Sequence, residues 1–456
     1  MVKARTSKPG RVSSDLADAG IPHIGGANGG RADESPALQP TGLLEAALDP
    51  ANLNRAWRRV KANRGAPGVD GISVDDFPDW MRTHWPEIRQ ALLGGTYRPS
   101  PVRRVEIPKP TGGKRPLGIP TVMDRVIQQA ILQILTPIWD PTFSDSSFGF
   151  RPKRSAHGAV KQVKALIRDG RRWAVDVDLR KFFDTVNHRI LMDRLARRVK
   201  DASLLTLIGR YLRAGVTVDG NMEPTESGVP QGGPLSPLLA NIVLDELDRA
   251  LEERGHRFAR YADDFVILVG SREAAERVKA GVTRLLERRL KLRVNQDKSR
   301  IIRASELDYL GFCFQGGKIK ISPASLAAFR RRLRWLTGRH WFVSMETRLA
   351  KLRRDVQGWM NYYGISEVYR HWPKLDRWLR RRIRMCYWVM WKRPWTRIRN
   401  LKKLGVRIKQ AVGLGRSSLG PWKCARLLGF AMSKEWLEEQ GLLCLADDWW
   451  RCAPRR

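Results

Sequence analysis

Hydrophobic and polar positions divide the first half of the chain into recognisable elements. From about residue 43, LLEAALDPANLNRAWRRVKANRG carries apolar residues at helical spacing, and GAPGVDG then predicts a loop because glycine and proline interrupt regular structure. The segment VRRVEIPKPTGGKRPLGIP predicts two strands around a Gly-Gly turn. Thr121, followed three residues later by Asp124, predicts a capped start for the helix VMDRVIQQAILQIL.

The middle of the chain mixes strands with helices. WAVDVDL, ARYADDFVILVG and LDYLGFCF predict strands, with a hairpin in the second, and HRILMDRLARRV and REAAERVKAGVTRLLERRL predict intervening helices. This order predicts an α+β fold in which helices cover a sheet.

After about residue 322 the strand patterns stop and three amphipathic helices follow, the last in KLDRWLRRRIRMCYWVMW. Its predicted apolar face consists of Leu375, Trp378, Leu379, Ile383, Cys386, Tyr387 and Met390. Its arginines Arg377, Arg380, Arg381 and Arg384 lie off that face. Beyond Pro394 the chain is basic and punctuated by glycines with little periodicity, which places a boundary near 394. Residues 1–42 lack apolar periodicity and predict a disordered basic lead.

The charge balance indicates a polyanionic partner. The chain of 456 residues has 84 lysines and arginines against 46 acidic residues, a formal net charge of +38. Residues 321–456 alone hold 31 basic and 9 acidic residues. Such an excess favours nucleic acid as the partner, and the alternative is a basic surface that serves only solubility. Of the 17 tryptophans, 12 follow residue 320; most are expected in the core, and a minority are candidates for stacking on bases.

Cysteine usage and hydropathy predict an intracellular protein. The five cysteines form no C-x-x-C pair and no disulfide pattern, which is typical of a reducing compartment. No apolar run approaches the roughly 18 residues that cross a bilayer, and the polar start MVKARTSKPG differs from a signal peptide. We therefore expect a protein of the reducing cytosol, with no membrane partner.

Four aspartates are the strongest candidates for chemistry. Asp176 and Asp178 share one face of the strand WAVDVDL, and a tight turn in YADD exposes Asp263 and Asp264 beside a neighbouring strand. Clustered carboxylates on a half-buried sheet repel one another, and a divalent cation commonly relieves that repulsion. Two such ions about 3.5 to 4 Å apart support nucleotidyl transfer. The alternative is that each aspartate is a surface residue or a turn former.

The chain resembles bacterial group II intron reverse transcriptases and maturases from about residue 43 onward. Eight motifs occur in the family's order: RGAPGVDGIS, IPKPTGGKRPLGIP, FGFRPKRSAHGAV, VDLRKFFD, SGVPQGGPLSPLLAN, YADD, LRVNQDKS and YLGF. The resemblance implies a right-hand polymerase, with an N-terminal extension, fingers and palm in 43–320. It further implies a helical thumb or maturase domain in 321–393 and a basic DNA-binding domain in 394–456.

The same resemblance implies roles for individual residues. Asp178, Asp263 and Asp264 match the catalytic aspartates that hold two Mg²⁺ ions, for which Mn²⁺ is a substitute. Asp176 lies on the same face, but the motif does not require it, so we interpret it as a neighbour. Lys298 in VNQDKS matches a further family position near the nucleotide.

Four more residues match positions that contact the incoming nucleotide in this family. Phe183 corresponds to the ring beneath the sugar, which would exclude a ribose 2′-hydroxyl, and Gln231 corresponds to a residue that contacts the nucleotide. Lys109 and Arg115, on the two arms of the predicted hairpin, correspond to the pair that grips the triphosphate. The alternatives are that Phe183 is core together with Phe182, and that both cations are solvated surface residues.

The function implied is RNA-directed DNA synthesis combined with binding of the parent intron RNA to assist splicing and, by target-primed reverse transcription, intron mobility. The partners implied are intron RNA, an RNA template with a DNA primer, target DNA and deoxynucleoside triphosphates. Only Cys444 and Cys452 lie near the end, without the paired C-x-x-C motifs of the family's nuclease domain, so we expect no endonuclease. Two alternatives stay open: a reverse transcriptase serving host DNA repair or phage defence, and an RNA-binding splicing factor without polymerase activity.

Overall fold

The computed structural model describes residues 42–108, 114–218, 221–223, 225 and 227–452. Apart from Gly42, the predicted disordered lead lies outside these residues. The strands, in chain order, are β1 (Val102–Pro108), β2 (Lys114–Ile119), β3 (Trp173–Val177), β4 (Val216–Val218), β5 (Asn221–Glu223), β6 (Arg257–Tyr261), β7 (Asp264–Val269), β8 (Arg300–Arg303), β9 (Asp308–Tyr309), β10 (Phe312–Gln315) and β11 (Lys318–Ile321).

The α-helices, in chain order, are α1 (Leu43–Ala47), α2 (Pro50–Asn63), α3 (Phe77–Leu93), α4 (Val122–Trp139), α5 (Ala156–Arg168), α6 (Phe182–Thr185), α7 (His188–Arg198), α8 (Ala202–Arg213), α9 (Ser236–Glu253), α10 (Arg272–Arg284), α11 (Pro323–Leu336), α12 (Met345–Tyr363), α13 (His371–Met390), α14 (Pro394–Lys403), α15 (Ile408–Gly415), α16 (Pro421–Leu427), α17 (Lys434–Glu439) and α18 (Leu445–Cys452). The mixed α+β class predicted from the sequence is confirmed. Within the described ranges, no helix has both the length and the apolar character needed to cross a bilayer.

The chain divides into two compact units. The first comprises the residues up to Ser155, Val175–Ile267 and Arg272–Ile301, and the second comprises Ala156–Ala174, Leu268–Ser271 and the residues from Ile302 onward. The predicted domain boundaries at 42, 320 and 393 stay predictions.

In the first unit, β1 and β2 form the predicted antiparallel hairpin, which we call the fingers hairpin. Ile107 pairs with Arg115 and Pro108 with Lys114, while the Gly-Gly turn lies outside the described residues. β1 also pairs in parallel with β4, so the sheet runs β2-β1-β4-β5.

The predicted cap of α4 is confirmed, and Asp124 also binds groups outside the helix. The Thr121 hydroxyl accepts a hydrogen bond from the Asp124 backbone N–H at 3.1 Å. The buried Asp124 carboxylate accepts from the hydroxyls of Tyr97 at 2.8 Å and Tyr211 at 3.1 Å, and from the Ser100 backbone N–H at 3.2 Å. Burial raises the pKa of Asp124, and these bonds oppose that rise. The start of α4 is therefore fixed to the segment that leads into the fingers hairpin.

A second sheet, which we call the acidic sheet, has the strand order β6-β7-β3-β8. Its interior positions are apolar: Val175, Val177, Phe258, Val266 and Ile267 are each at most 2% exposed. Val266 and Ile267 are adjacent in β7 and point to opposite faces, so apolar packing covers both faces of this strand.

In the second unit, the three predicted amphipathic helices are confirmed as α11, α12 and α13. Serine caps begin the first two: the Ser322 hydroxyl accepts from the Ser325 backbone N–H, and the Ser344 hydroxyl accepts from the Thr347 backbone N–H. Their shared core includes the stacked rings of Phe329 and Trp359, whose centroids are 3.8 Å apart.

The predicted apolar face of α13 is correct in part. Leu375, Leu379, Ile383 and Cys386 are buried as expected, whereas Met390 is 45% exposed. Trp372, Met385 and Trp388 are also buried, although the predicted face omitted them. The reason is that α13 contributes to two cores, one with α11 and α12 and one, through Trp388, with α14–α16.

Two of the predicted basic residues of α13 point inward. Arg381 donates to the Trp422 backbone carbonyl at 2.9 Å and lies over the Trp422 ring at 4.0 Å. Arg384 donates to the Met432 carbonyl at 2.8 Å, while Arg377 is exposed. Arg381 and Arg384 therefore bind backbone carbonyls of the segment after Pro394.

The tail after Pro394, in which the sequence showed little periodicity, forms the helices α14–α18. These helices have between 6 and 10 residues, too few turns for an apolar stripe to repeat. Trp395 in α14 is 71% exposed and Trp450 in α18 is 64% exposed. They are the clearest members of the predicted minority of tryptophans that lie outside the core.

Candidate active site

The hairpin predicted in YADD is present. β6 ends at Tyr261 and β7 begins at Asp264, so Ala262 and Asp263 form a two-residue turn. Ala262 has a φ of 58°, in the left-handed region that a residue with a Cβ adopts only at a cost. The turn places Asp263 and Asp264 at one end of the acidic sheet.

Asp178 follows directly after β3, the strand beside β7 in the sheet. Its carboxylate oxygen Oδ2 accepts a hydrogen bond from Asn295 Nδ2 at 2.9 Å, and its backbone carbonyl accepts from the Asn295 N–H at 2.8 Å. The Asp178 N–H donates to the Ser299 hydroxyl at 3.1 Å. The VNQDKS segment therefore fixes both the backbone and the side chain of Asp178.

The electrostatics of Asp264 show that the acidic residues lie near one another. Desolvation of its carboxylate, together with the neighbouring charges of Asp263, Asp176 and Asp178, raises the pKa of Asp264 to about 6, and the charge of Lys298 opposes this rise. Lys298 Nζ is 3.8 Å from Asp178 Oδ2. The three predicted catalytic aspartates and Lys298 thus share one region, in which negative charge is in excess.

Asp176 belongs to the same region but has its own basic partner. Its Oδ2 is 3.2 Å from Nε of Arg300 in β8. This ion pair agrees with its interpretation as a neighbour of the three predicted catalytic aspartates.

Phe183 and Gln231 line one cavity of about 290 Å³ in the first unit. Phe182 is 2% exposed and belongs to the core, whereas Phe183 is half-buried at the cavity wall. Gln231 Nε2 donates to Asp184 Oδ1 at 3.1 Å, and the Gln231 carbonyl accepts from the Gly118 N–H of β2 at 2.7 Å. Phe183 is therefore less buried than Phe182, and its place beneath the sugar of a nucleotide stays a prediction.

The loop SGVPQGG reaches this position because two of its glycines have no Cβ. Gly232 has a φ of 126°, and a Cβ there would lie 2.3 Å from the carbonyl oxygen of Gly118. Gly228 has a φ of 96°, and its Cβ would lie 2.9 Å from the carbonyl oxygen of Phe183. Both φ values favour glycine, so the loop can lie against β2 and α6 at once.

The remaining two predicted nucleotide-binding residues are defined less fully. Lys109 lies outside the described residues. Arg115 is placed by its backbone in β2, opposite Ile107. Their proposed grip on a triphosphate stays a prediction.

Sequence reasoning missed two residues beside the aspartates. Asn295 holds the carboxylate of Asp178, and an asparagine inside the motif VNQDKS was the available signal. Arg260, three residues before Asp263, is completely buried and donates to the carbonyl of Ala262 at 3.0 Å. An arginine at an interior position of a hydrophobic strand was the signal there, because a buried charge requires partners.

The donor atoms of this region suit a divalent cation. The carboxylates of Asp178, Asp263 and Asp264 offer hard oxygen ligands, which Mg²⁺ prefers. Desolvation and the repulsion among these acids both raise the pKa of Asp264, and a bound cation would relieve that repulsion.

Family models match two segments of the chain. Residues 107–314 match reverse transcriptase (RNA-dependent DNA polymerase), and residues 326–405 match the maturase-specific domain of group II introns. The first segment contains all eight predicted site residues, and the second covers most of α11 through α14.

Two curated proteins are similar over most of the same region. Protein YkfC of Escherichia coli (strain K12) is 37% identical over 324 residues, which cover 62% of this chain and 84% of that protein. The group II intron-encoded protein LtrA of Lactococcus lactis subsp. cremoris is 32% identical over 338 residues, or 60% of this chain and 56% of that protein. Among solved structures, telomerase from Candida albicans is 12% identical, with a TM-score of 0.44 over 81% of this chain and 68% of that chain.

Proposed function

The chain belongs to the family of group II intron reverse transcriptases and maturases, and from this premise we propose that it copies RNA into DNA at Asp178, Asp263 and Asp264. The observation that carries the proposal is the cluster of four carboxylates, in which Asp176 and Asp178 at the end of β3 lie beside Asp263 and Asp264 at the start of β7. Such a concentration of negative charge has no stabilising role in a fold and is typical of a site built for cations.

The family generally uses divalent metal ions. Asp178, Asp263 and Asp264 would hold two Mg²⁺ ions, which would supply activation of the primer hydroxyl and stabilisation of the leaving pyrophosphate. Asn295 keeps one oxygen of Asp178 directed, and Lys298 supplies a positive charge 3.8 Å from that oxygen. The protein residues thus prepare the geometry before any ion or nucleotide arrives.

The cavity lined by Phe183 and Gln231 supports a place for the incoming deoxynucleotide. The Phe183 ring would lie beneath the sugar and collide with a 2′-hydroxyl, and Gln231 would contact the nucleotide through its amide. Lys109, next in the sequence after β1, and Arg115 of β2 would bind the triphosphate, because ammonium and guanidinium groups donate charged hydrogen bonds to phosphate oxygens.

The second part of the proposal is that the protein binds its parent intron RNA, assists its splicing and takes part in its mobility by target-primed reverse transcription. The match of residues 326–405 to the maturase-specific domain and the basic excess after residue 320 support it. Positive charge would contribute most of the affinity through phosphate contacts.

Two assays test these parts separately. Purified protein with Mg²⁺ should extend a DNA primer on an RNA template, and wild-type protein that makes no DNA would refute the polymerase proposal. The transcript that flanks the gene should splice at low Mg²⁺ concentration only when the protein is added. Equal splicing without the protein would refute the maturase proposal while leaving the polymerase proposal intact.

A further inference from the structure

Arg260 and Asp248 form a completely buried ion pair beneath the catalytic turn. Both side chains are 0% exposed. Arg260 Nε donates to Asp248 Oδ1 at 2.7 Å, and Nη2 donates to Asp248 Oδ2 at 2.5 Å. Asp248 lies on α9, so the pair joins this helix to β6, the strand that leads into Ala262.

The third guanidinium nitrogen of Arg260 reaches the turn itself. Nη1 donates to the backbone carbonyl of Ala262 at 3.0 Å and to Asn241 Oδ1 at 2.9 Å. Asn241 also lies on α9, and its Nδ2 donates to the carbonyl of Gly149 at 2.8 Å. One buried network therefore connects α9, the turn and the segment around Gly149.

That segment packs against the other side of the turn. A Cβ on Gly149 would lie 2.3 Å from the backbone nitrogen of Ala262, so this approach requires a glycine. The Phe148 N–H donates to the Arg260 carbonyl at 2.8 Å, and the Arg260 N–H donates to the Ser146 carbonyl at 2.9 Å. Ala262, with its unfavourable φ of 58°, is thus held between Gly149 and the guanidinium of Arg260.

A stabilising role alone does not explain this arrangement. Burial of two charges is costly, and apolar residues of similar size are often equally stabilising or better in such places. An arginine at this position offers something that apolar residues and lysine lack, since its planar fork reaches Asp248, Asn241 and Ala262 at the same time.

We propose that Arg260 is a positioning residue for DNA synthesis, which fixes the Ala262 carbonyl and thereby the direction in which Asp263 and Asp264 project. The proposal rests on the proposed role of these aspartates. It assigns the Arg260–Asp248–Asn241 network to the geometry of the metal site and not merely to the stability of the fold.

Arg260→Lys tests the proposal because it keeps the charge and loses the fork. Primer extension should show kcat reduced at least tenfold and the Mg²⁺ concentration for half-maximal rate raised severalfold, with RNA-template binding unchanged. Asp201→Asn is the matched control. Asp201 is a buried carboxylate of the same unit that accepts from the Leu44 and Leu204 N–H groups, and its variant should lose thermal stability but keep the wild-type Mg²⁺ dependence.

A double variant separates positioning from folding. Asp248→Leu alone leaves a buried unpaired charge and is expected to unfold readily, whereas Arg260→Met with Asp248→Leu replaces the pair by apolar side chains and should recover thermal stability. The recovered protein should still show the low kcat and the raised Mg²⁺ requirement, because the Ala262 carbonyl has lost its donor.

The results of these experiments distinguish the positioning role of Arg260 from the proposed polymerase function on which it rests. Wild-type protein without DNA synthesis would defeat the proposed function itself. Active wild-type protein, together with wild-type kcat and Mg²⁺ dependence in either Arg260→Lys or the folded double variant, would overturn the positioning role alone.

Discussion

Asn295 Nδ2 donates a hydrogen bond of 2.9 Å to the carboxylate of Asp178, from a position 117 residues away in the sequence. The two residues also share a backbone hydrogen bond of 2.8 Å, so the side chain of Asp178 is directed while its backbone is held. A hydrogen bond to a charged group contributes about 1.5 to 3 kcal/mol, which is enough to decide how a carboxylate is oriented.

Asn295→Ala should therefore impair DNA synthesis without unfolding the protein. We expect kcat to fall about tenfold and the Mg²⁺ requirement to rise, because Asp178 loses the donor that directs it and a tenfold rate change corresponds to about 1.4 kcal/mol. Primer extension at varied Mg²⁺ measures both. Asn52→Ala is the control: Asn52 is buried and donates to the Ala47 and Ala130 carbonyls, so its loss should reduce stability only. Equal kinetics for wild type and Asn295→Ala would contradict the role.

Asp263→Asn should abolish DNA synthesis while RNA binding persists. The substitution keeps the shape of the turn and removes one negative oxygen ligand, so we expect a loss of at least about 1,000-fold in rate. Primer extension and a gel-shift assay with the same RNA template measure the two properties. Residual synthesis within tenfold of wild type would remove Asp263 from the catalytic set.

Asp264 should make the metal-free protein less stable at neutral than at acidic pH. Its folded pKa of about 6 exceeds the unfolded value near 3.8, so the folded state binds the proton more tightly, and its contribution to stability is lost as pH rises from about 4 to about 6. The full shift would correspond to roughly 3 kcal/mol, but Asp264 is exposed, and screening by solvent leaves about 1 kcal/mol.

Asp264→Asn removes the titrating group, so comparison with wild type measures how much the charge of Asp264 lowers the free energy of unfolding. In EDTA at pH 7.5 the variant should have a free energy of unfolding about 1 kcal/mol above wild type, a difference that shrinks at pH 4.5. Chemical denaturation at both pH values measures it. The exposed Asp75, replaced by Asn, is the control and should show no such difference. A wild type as stable as Asp264→Asn at pH 7.5 would show that the charge is not strained.

Phe183→Ala should admit ribonucleotides. The half-buried ring lines the cavity beside Gln231, and its removal clears the volume that a 2′-hydroxyl would need. Misincorporation kinetics should show discrimination against ribonucleotides reduced at least about tenfold, or about 1.4 kcal/mol. Phe182→Leu, in the core, should lower stability and leave discrimination unchanged. Unaltered discrimination in Phe183→Ala would assign the ring to structure.

RNA affinity should depend steeply on salt, because bound phosphates release counterions. Arg330 and Arg331 on α11 are exposed in the basic second unit, and replacement of both by Gln should reduce the slope of log affinity against log salt by about 1.4. Fluorescence anisotropy from 50 to 400 mM KCl measures this slope. A flat response in wild type would contradict binding through phosphate contacts.

Local patterns determined much of this protein. Period-2 alternation and turn residues identified the fingers hairpin and the hairpin around Ala262, and helical spacing identified α11, α12 and α13. These features depend on neighbours in the sequence, so the sequence alone contains them. The residue types also indicated a cation site, because adjacent aspartates beside a hydrophobic strand bring carboxylates together at the edge of the core.

Only the tertiary structure decided which groups bind and orient the segments that carry those aspartates. Asn295 reaches Asp178, and Arg260 reaches Asp248 and Ala262, through packing of elements that no local pattern relates. The same packing turned Arg384 inward to a backbone carbonyl. The physical reason is that whether a charged side chain binds a ligand, another residue or water depends on its burial and on the partners brought within about 3 Å, and both are properties of the folded chain.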